Sequence, residues 1–339
     1  MAHPDTWLKP LPDGLYCEPG GFYIDPVRPV ARAIITHGHS DHARPGHDAV
    51  LGHPATLAIM RSRMGEGAAG LTQQPLGWGE RLRVGDVEVW LQPAGHVLGS
   101  SQIAMQYQGG RAVVSGDYKG QPDRSCEPFV PIPCDVFVSE ATFALPVFRH
   151  PPADAEVAKL LDSVRLFPQR THVIGCYALG KTQRMITLLR DGGWDGPIYL
   201  HGALTALCAV YESFGIPLGD LRPATVAARR DLVGSIVLAP PSAIADRWAR
   251  RLEDPVTCVA SGWMRVRQRA KQGGVELPLV ISDHADWTDL NATIDEVGAP
   301  EVWVTHGSEE ALIYHLAKRG IRGRALRLIG YGDEEAEAA

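Results

Sequence analysis

The apolar residues in the first part of the chain, up to Pro146, fall in short runs that are closed by glycine and proline. These runs are rich in β-branched residues, and their length is typical of strands. One longer stretch, Pro54–Met64, has the length of a helix. The pattern predicts strands at Ala33–Thr36, Val87–Gln92, Ser101–Tyr107, Ala112–Ser115 and Val136–Ser139.

The pattern changes after Pro146, where helical and strand-like stretches alternate, as is typical of βαβ units on a parallel sheet. Beyond Pro278 the first pattern returns. We therefore expect a layered α/β domain formed by residues 1–145 and 278–339, interrupted by an inserted domain at residues 146–277. Strands are predicted at His172–Cys176, Pro197–Leu200, Ser235–Ala239, Val256–Ala260, Leu279–Ser282 and Val302–Thr305. Helices are predicted at Ala155–Leu166, Lys181–Leu189, Ala203–Phe214, Ala243–Leu252, Leu290–Val297 and Glu310–Lys318.

Length and composition limit the class of protein. The 339 residues are enough for about two domains. Lys and Arg number 33 against 39 Asp and Glu, and the net charge of −6 disfavours a non-specific nucleic-acid binder. No apolar run approaches the ~20 residues of a membrane span, and the first residues do not resemble a signal peptide. Six scattered cysteines without a C-x-x-C pair indicate reduced thiols, so we expect a cytoplasmic protein.

Four potential metal ligands follow the strand predicted at Ala33–Thr36. They stand in the motif His37-Gly-His39-Ser-Asp41-His42. Imidazole and carboxylate groups suit zinc and manganese. Alternate side chains of a turn face different directions, so His37 and His39 could serve one ion and Asp41 and His42 a second. The motif predicts a metal site, against the alternative of polar residues on a solvated loop.

Further ligand-type residues also come directly after predicted strands. Strand ends in α/β proteins converge on one edge of a sheet, where binding sites lie. Any one of these histidines alone would more often be a hydrogen-bonded loop residue, but their common placement favours a metal site. The residues are His96 in Pro93-Ala-Gly-His96, Asp117 in Ser115-Gly-Asp117, Glu140 in Ser139-Glu140-Ala-Thr, His284 in Ser282-Asp283-His284-Ala-Asp286, and His306 in Thr305-His306-Gly.

The order of these motifs resembles that of the metallo-β-lactamase-fold nucleases with a β-CASP cap. This family includes the mRNA 3′-end cleavage nuclease and the DNA crosslink-repair nucleases. The resemblance covers nearly the whole chain, and in size and pattern the chain is most similar to the bacterial ligase-associated DNA exonucleases. Two segments of the predicted insertion are also similar to the family's cap: Tyr177-Ala-Leu-Gly-Lys181-Thr-Gln183 and Ala260-Ser261-Gly262-Trp-Met264.

The resemblance implies an α/β fold, a metallo-β-lactamase αββα sandwich with an inserted β-CASP α/β cap domain. It also implies two divalent metal ions, zinc or manganese. Catalytic roles are implied for Asp41, Glu140 and His284, with His284 donating a proton to the leaving oxygen and Glu140 orienting it. The matched motifs assign one ion to His37, His39 and His96 and the other to Asp41, His42 and His306, with Asp117 bridging the two.

The implied activity is that of a metal-dependent phosphodiesterase, a DNA exonuclease that acts on single-stranded nucleic acid in DNA repair. An ATP-dependent DNA ligase would be a functional partner. The cap would narrow the site and favour single strands over duplexes. Lys181, Ser261 and Arg265 are candidate phosphate contacts, since Lys181 begins a predicted helix and Arg265 opens a basic run that ends at Lys271. A solvated helix face is the alternative for the basic run.

Three other functions remain open. An RNA-processing endoribonuclease is favoured by His306 and by Glu140 in place of Asp, which are typical of the RNA-cleaving members of the family. The first motif alone would also permit a thioester hydrolase similar to glyoxalase II, but the insertion and the motif Ser282–Asp286 argue against it. A non-catalytic scaffold is disfavoured because no ligand position is missing.

Overall fold

The computed structural model describes residues 1–244, 248–249, 252–326 and 328, and these form two compact units. One unit contains Met1–Arg149 together with the described chain from His284 onward, and the other contains His150–Asp283. These limits lie a few residues beyond the predicted limits of 146 and 277. Within the described ranges, no helix is both long enough and apolar enough to cross a bilayer.

The elements follow one another along the chain in the order expected of a β-rich domain with an α/β insertion. The strands are β1 Leu8–Leu11, β2 Gly14–Cys17, β3 Phe22–Ile24, β4 Arg32–Ile34, β5 Ala49–Gly52, β6 Thr72–Pro75, β7 Arg81–Val84, β8 Val87–Pro93, β9 Ser101–Tyr107, β10 Gly110–Val114, β11 Val136–Ala141, β12 His172–Gly175, β13 Ile198–Leu200, β14 Leu221–Pro223, β15 Ile236–Ala239, β16 Val256–Ala260, β17 Leu277–Leu279, β18 Glu301–Gly307 and β19 Arg322–Ala325. The helices are α1 Pro54–Met64, α2 Ala153–Leu166, α3 Lys181–Asp191, α4 Gly202–Ser213, α5 Arg229–Leu232, α6 Pro241–Ile244, α7 Arg267–Gln272, α8 Trp287–Val297 and α9 Glu309–Lys318, with 3₁₀ turns at Pro4–Thr6 and Gly262–Arg265.

Two sheets form the centre of the first unit. One has the strand order β1-β2-β3-β4-β5-β6, and the other has the order β19-β18-β11-β10-β9-β8-β7. From β3 to β6 the first sheet is parallel, and so is the second sheet from β10 through β11 and β18 to β19. The ends of several parallel strands therefore lie on the same edge of their sheet.

Alternation along the strands divides the apolar side chains between two layers. In β4, Ala33 packs against α1, whereas its neighbour Ile34 lies in the core between the two sheets. The far side of the second sheet is covered by α8 and α9, whose Leu290 and Leu312 share a core with Phe137. The layers thus run helix, sheet, sheet, helix, and the predicted α/β class is confirmed.

The second unit is built on one parallel sheet, as the alternation of helices and strands predicted. Its strand order is β14-β13-β15-β12-β16-β17, and every neighbouring pair is parallel. Buried residues such as Val173, Tyr199 and Val237 form its core.

Two predicted elements differ most from the structure. The prediction of a strand at Leu279–Ser282 is wrong for its last three residues, since β17 ends at Leu279. In the region where a helix is predicted at Ala243–Leu252, the structure has α6 at Pro241–Ile244, which begins two residues earlier. Five residues of that predicted helix, 245–247 and 250–251, lie outside the described residues.

Candidate metal centre

The loops that follow three strands of the first unit, and the end of a fourth strand, bring the predicted metal ligands together. In each case an apolar strand holds the chain in the core, and the first polar residues after it emerge at the sheet edge. β4 leads to His37, His39, Asp41 and His42; β8 leads to His96; β10 leads to Asp117; and β18 contains His306 near its end.

The first group consists of three histidines and one carboxylate. His39 Nδ1 lies 3.1 Å from His37 Nε2 and 3.0 Å from His96 Nε2. Asp117 Oδ2 is 3.4 Å from His37 Nε2. Metal–ligand bonds of ~2.0–2.1 Å place two ligands of a tetrahedral ion ~3.3 Å apart, so these separations fit a set of ligands around one metal ion.

The second group shares Asp117 with the first. The ligand atoms of His42, Asp117 and His306 all lie within 4.8 Å of one another. Asp117 Oδ2 is 3.4 Å from His42 Nε2, the same distance that separates it from His37 Nε2 in the first group. Asp41 lies beside this group, with its Oδ2 3.6 Å from His42 Nε2. A carboxylate oxygen equidistant from two histidines of different groups is suited to bridge two ions.

Burial and neighbouring charges determine whether the side chains of the two ligand groups are protonated. Burial holds the pKa of His37 well below its usual value and lowers that of His306 to about 3. Neutral imidazole is the form that binds a metal, so these two residues are ready to act as ligands. Burial opposes ionisation of Asp117, but His42 and His37 hold its pKa well below the usual value, and it stays a carboxylate.

Asp25 orients one of the histidines, although no sequence motif points to it. Its Oδ2 lies 2.8 Å from His42 Nδ1 and accepts a hydrogen bond from the Thr36 hydroxyl at 2.6 Å. Its Oδ1 accepts a hydrogen bond from the backbone N–H of Thr36 at 2.8 Å. With Nδ1 held in this way, His42 presents Nε2 to the second group, which is how carboxylates commonly support metal-bound histidines. The available signal was a carboxylate at the end of a strand, Ile24-Asp25, but it belongs to no motif.

Glu140 and His284 form a buried pair next to the ligand groups. His284 Nδ1 lies 3.0 Å from Glu140 Oε2, and the backbone N–H of Tyr118 donates to Glu140 Oε1 at 2.7 Å. Burial raises the pKa of Glu140, and the charge and hydrogen bond of His284 act in the opposite direction. Ligand-type atoms of Asp117, Glu140 and His284 lie within 4.8 Å of one another. The two residues predicted for acid–base roles are therefore in contact.

The three predicted phosphate contacts lie in the second unit, and their surroundings differ. Lys181 is fully buried, and its ammonium is 2.6 Å from Asp283 Oδ1. The hydroxyl of Ser261 accepts a hydrogen bond from Trp263 N at 3.2 Å and begins the 3₁₀ turn. Arg265, at the end of that turn, is exposed. Lys181 thus has internal partners instead of the open surface that a phosphate contact requires.

Comparisons with known proteins find relatives but no matching family model. A probable DNA ligase from Opitutus terrae is 30% identical over 327 residues, which cover 94% of this chain and 31% of that protein. Subunit 3-I of the cleavage and polyadenylation specificity factor from Arabidopsis thaliana is 23% identical over 290 residues, 69% of this chain and 41% of that protein. The probable RNase MJ4 from Methanocaldococcus jannaschii is 26% identical over 135 residues, 38% of this chain and 31% of that protein.

The chain spans less than half the length of each of these relatives. Among solved structures, a protein of unknown function from Enterococcus faecalis V583 has a similar fold. Its TM-score is 0.57 at 14% identity, and the match covers 86% of this chain and 78% of that one. The chain is therefore similar in sequence to proteins named as a DNA ligase, a polyadenylation factor subunit and a ribonuclease.

Proposed function

We propose that this chain is a nuclease of the β-CASP metallo-β-lactamase family that hydrolyses phosphodiester bonds with two divalent metal ions. The observation that carries the proposal is the position of Asp117 Oδ2, at 3.4 Å from both His37 and His42. The helix–sheet–sheet–helix layering and the names of the relatives support the family. Residues 146–277 are proposed as the cap.

The donor set fits zinc or manganese, because it consists of imidazoles and carboxylates. One ion would be held by His37, His39 and His96 and the other by Asp41, His42 and His306, with Asp117 shared between them. Bound there, the ions would act as Lewis acids toward the phosphodiester and make a water nucleophilic at neutral pH.

Glu140 and His284 would together supply a proton to the leaving oxygen of the scissile bond. Glu140 engages Nδ1 of His284, so Nε2 is the nitrogen that can donate a proton to the leaving oxygen. The hydrogen bond from Tyr118 N fixes the carboxylate and so fixes the ring that it orients. Asp41, next to the second group, is the remaining residue proposed as catalytic.

For the substrate we propose single-stranded DNA, cleaved by an exonuclease in DNA repair. The relative named as a probable DNA ligase supports this, since its similarity extends over 94% of the chain. A DNA ligase is accordingly the proposed functional partner. RNA cleavage is the second candidate, and the similarity to the polyadenylation factor subunit and to the probable RNase MJ4 favours it.

One assay tests both candidates. Protein loaded with zinc or manganese is incubated with single strands of DNA and RNA of the same sequence, labelled at the 5′ or 3′ end, and the product ladders are compared. Stepwise shortening of DNA supports the exonuclease, and internal RNA cuts support the endoribonuclease.

The matched variants are Asp117→Asn, which removes the shared carboxylate without changing its size, and Asp86→Asn on the exposed surface. Activity in the wild type and in Asp86→Asn, but not in Asp117→Asn, assigns the cleavage to this centre. Full activity of Asp117→Asn, or no cleavage of either strand by the wild type, contradicts the proposal.

A further inference from the structure

The four residues before His284 are held by side chains instead of by the sheet. β17 ends at Leu279, and charged side chains of α2 and α3 bind the polar groups of the segment that follows it. The contacts are from Glu156 Oε2 to Val280 N at 2.8 Å, from Lys181 Nζ to Ile281 O at 3.1 Å, and from Arg184 Nη1 to Ser282 O at 3.4 Å. Just before the segment, Lys159 Nζ donates to Pro278 O at 2.9 Å.

Among the helix side chains that bind this segment, Lys181 makes the contacts closest to His284 along the chain. Its ammonium donates to Ile281 O at 3.1 Å and pairs with Asp283 Oδ1 at 2.6 Å, and the lysine side chain is 0% exposed. Burying an ammonium group costs free energy unless the group is paired with a charge and hydrogen-bonded. The ammonium of Lys181 meets both conditions and thereby binds the segment at two residues, Ile281 and Asp283. Asp283 is itself 2% exposed.

We propose that Lys181, acting through Asp283, is a positioning residue for His284; this inference rests on the proposed function. Asp283 and His284 are consecutive, so the ion pair fixes the chain immediately before the proton donor. Glu140 holds the ring of His284 at the other end. Proton transfer needs the donor within hydrogen-bond reach of the leaving oxygen, and a misplacement of ~1 Å can cost ~10²-fold in rate.

This role differs from the phosphate contact that the sequence suggested for Lys181. A lost phosphate contact weakens substrate binding and therefore raises KM. A lost positioning contact lowers kcat at unchanged KM. It also lowers kcat less when the leaving group needs no proton, as with a nitrophenyl phosphodiester.

The test compares Lys181→Met with Lys159→Met. The control lysine donates to the carbonyl of Pro278, which lies before the segment and farther along the chain from His284, and its side chain is 41% exposed. For Lys181→Met we expect kcat on an oligonucleotide to fall ~10–100-fold, with a smaller fall on the nitrophenyl substrate and two bound metals per chain. In a His284→Ala background the substitution should cause no further loss. Lys159→Met should stay close to the wild type.

Amide hydrogen exchange measures the anchoring itself, without any reaction. Exchange at Ile281–His284 should accelerate in Lys181→Met and stay unchanged in Lys159→Met. Unchanged exchange overturns the anchoring even if the wild type proves not to be a nuclease. If the enzyme is active, the positioning role is overturned when Lys181→Met and His284→Ala lower kcat additively. It is also overturned when Lys181→Met lowers kcat equally on the oligonucleotide and on the nitrophenyl substrate. If Lys181→Met does not fold, the pair Lys181→Met and Asp283→Asn removes both buried charges and is judged by the same measurements.

Discussion

His284 and His306 look alike in sequence, since each follows a predicted strand, but they have different neighbours. His284 is bound to Glu140, whereas His306 lies with His42 and Asp117 and has a left-handed backbone with φ of 56°. We therefore expect His284→Ala to bind two metals and to cleave ~10²–10⁴-fold more slowly, as for loss of a general acid. His306→Ala should lose metal and recover in part with excess Mn²⁺. Elemental analysis measures the number of bound metal ions, and cleavage rates on an oligonucleotide and on a nitrophenyl phosphodiester test the role of each histidine.

The matched control for both variants is His315→Ala, because His315 packs on Trp287 and is a member of neither ligand group. On the nitrophenyl substrate the deficit of His284→Ala should shrink, and that of His306→Ala should not. Loss of metal from His284→Ala, or an equal deficit on both leaving groups, would show that the two roles are assigned wrongly.

Asp117 is the residue that both ligand groups share. We expect Asp117→Ala to lose more metal than any single histidine variant, because the change removes a ligand from both ions at once. The measurement is the number of metal ions per chain after dialysis against buffer of fixed free metal. A histidine variant that retains less metal than Asp117→Ala would contradict the shared role.

Asp25 provides a test of the support behind His42. Asp25→Asn keeps the size of the side chain and tolerates the φ of 42° found there, so the change removes mainly the charge. Loss of such a supporting carboxylate costs ~10–100-fold in metal affinity, and we expect that decrease here. Competition with a chelator gives the affinity. A matched Asp48→Asn variant should bind metal as the wild type does.

At the scale of elements, the turn after β10 sets the position of Asp117. Gly116 has a φ of 58°, and a Cβ at this residue would lie 2.8 Å from Thr36 Cβ. We expect Gly116→Ala to lower the free energy of unfolding by at least ~1–2 kcal/mol, the cost of the left-handed backbone alone, and to weaken metal binding. Gly320→Ala has a similar φ of 76° and open space around the added methyl, so it separates the clash from the backbone strain. Chemical denaturation of both variants, with and without metal, gives the comparison.

The elements that could be predicted are those with a continuous apolar run. β9 and β16 and helix α1 have the predicted bounds, and β4, β8, β10 and β11 differ by a few residues at their ends. The strands β1 to β3 are only three or four residues long, with a proline in β1 and a glycine in β2, so they lack the continuous apolar run that predicts a strand. The strand predicted at Leu279–Ser282 is shorter because helix side chains, rather than a neighbouring strand, bind the polar groups after Leu279.

For the site, spacing and residue type pointed to the histidines and carboxylates of the two ligand groups and to the pair Glu140 and His284. Metal binding by them stays a prediction. Asp25 could not be found in this way, because its contact with His42 depends on the folded arrangement of β3 and β4. The ion pair of Lys181 with Asp283 could not be predicted either, since the two residues are about a hundred positions apart along the chain.

For the whole molecule, metal and stability should be linked. An ion that binds only the folded state at 100 times its Kd adds about 2.7 kcal/mol, which for a unit of this size raises Tm by ~5–10 °C. We expect calorimetry to show this rise with Zn²⁺ or Mn²⁺ and its reversal with a chelator. Asp117→Asn should show a smaller rise. Identical Tm values for the wild type with and without metal would contradict a metal centre.

The ligand groups join the two ends of an interrupted unit. His37 and His306 flank the whole inserted segment, yet both lie against the same shared carboxylate. During synthesis the chain leaves the ribosome from its N-terminus, and domains fold as their sequence becomes available. The donor set cannot be complete until His306 has been made, so on the proposed function a growing or prematurely terminated chain carries no nuclease activity.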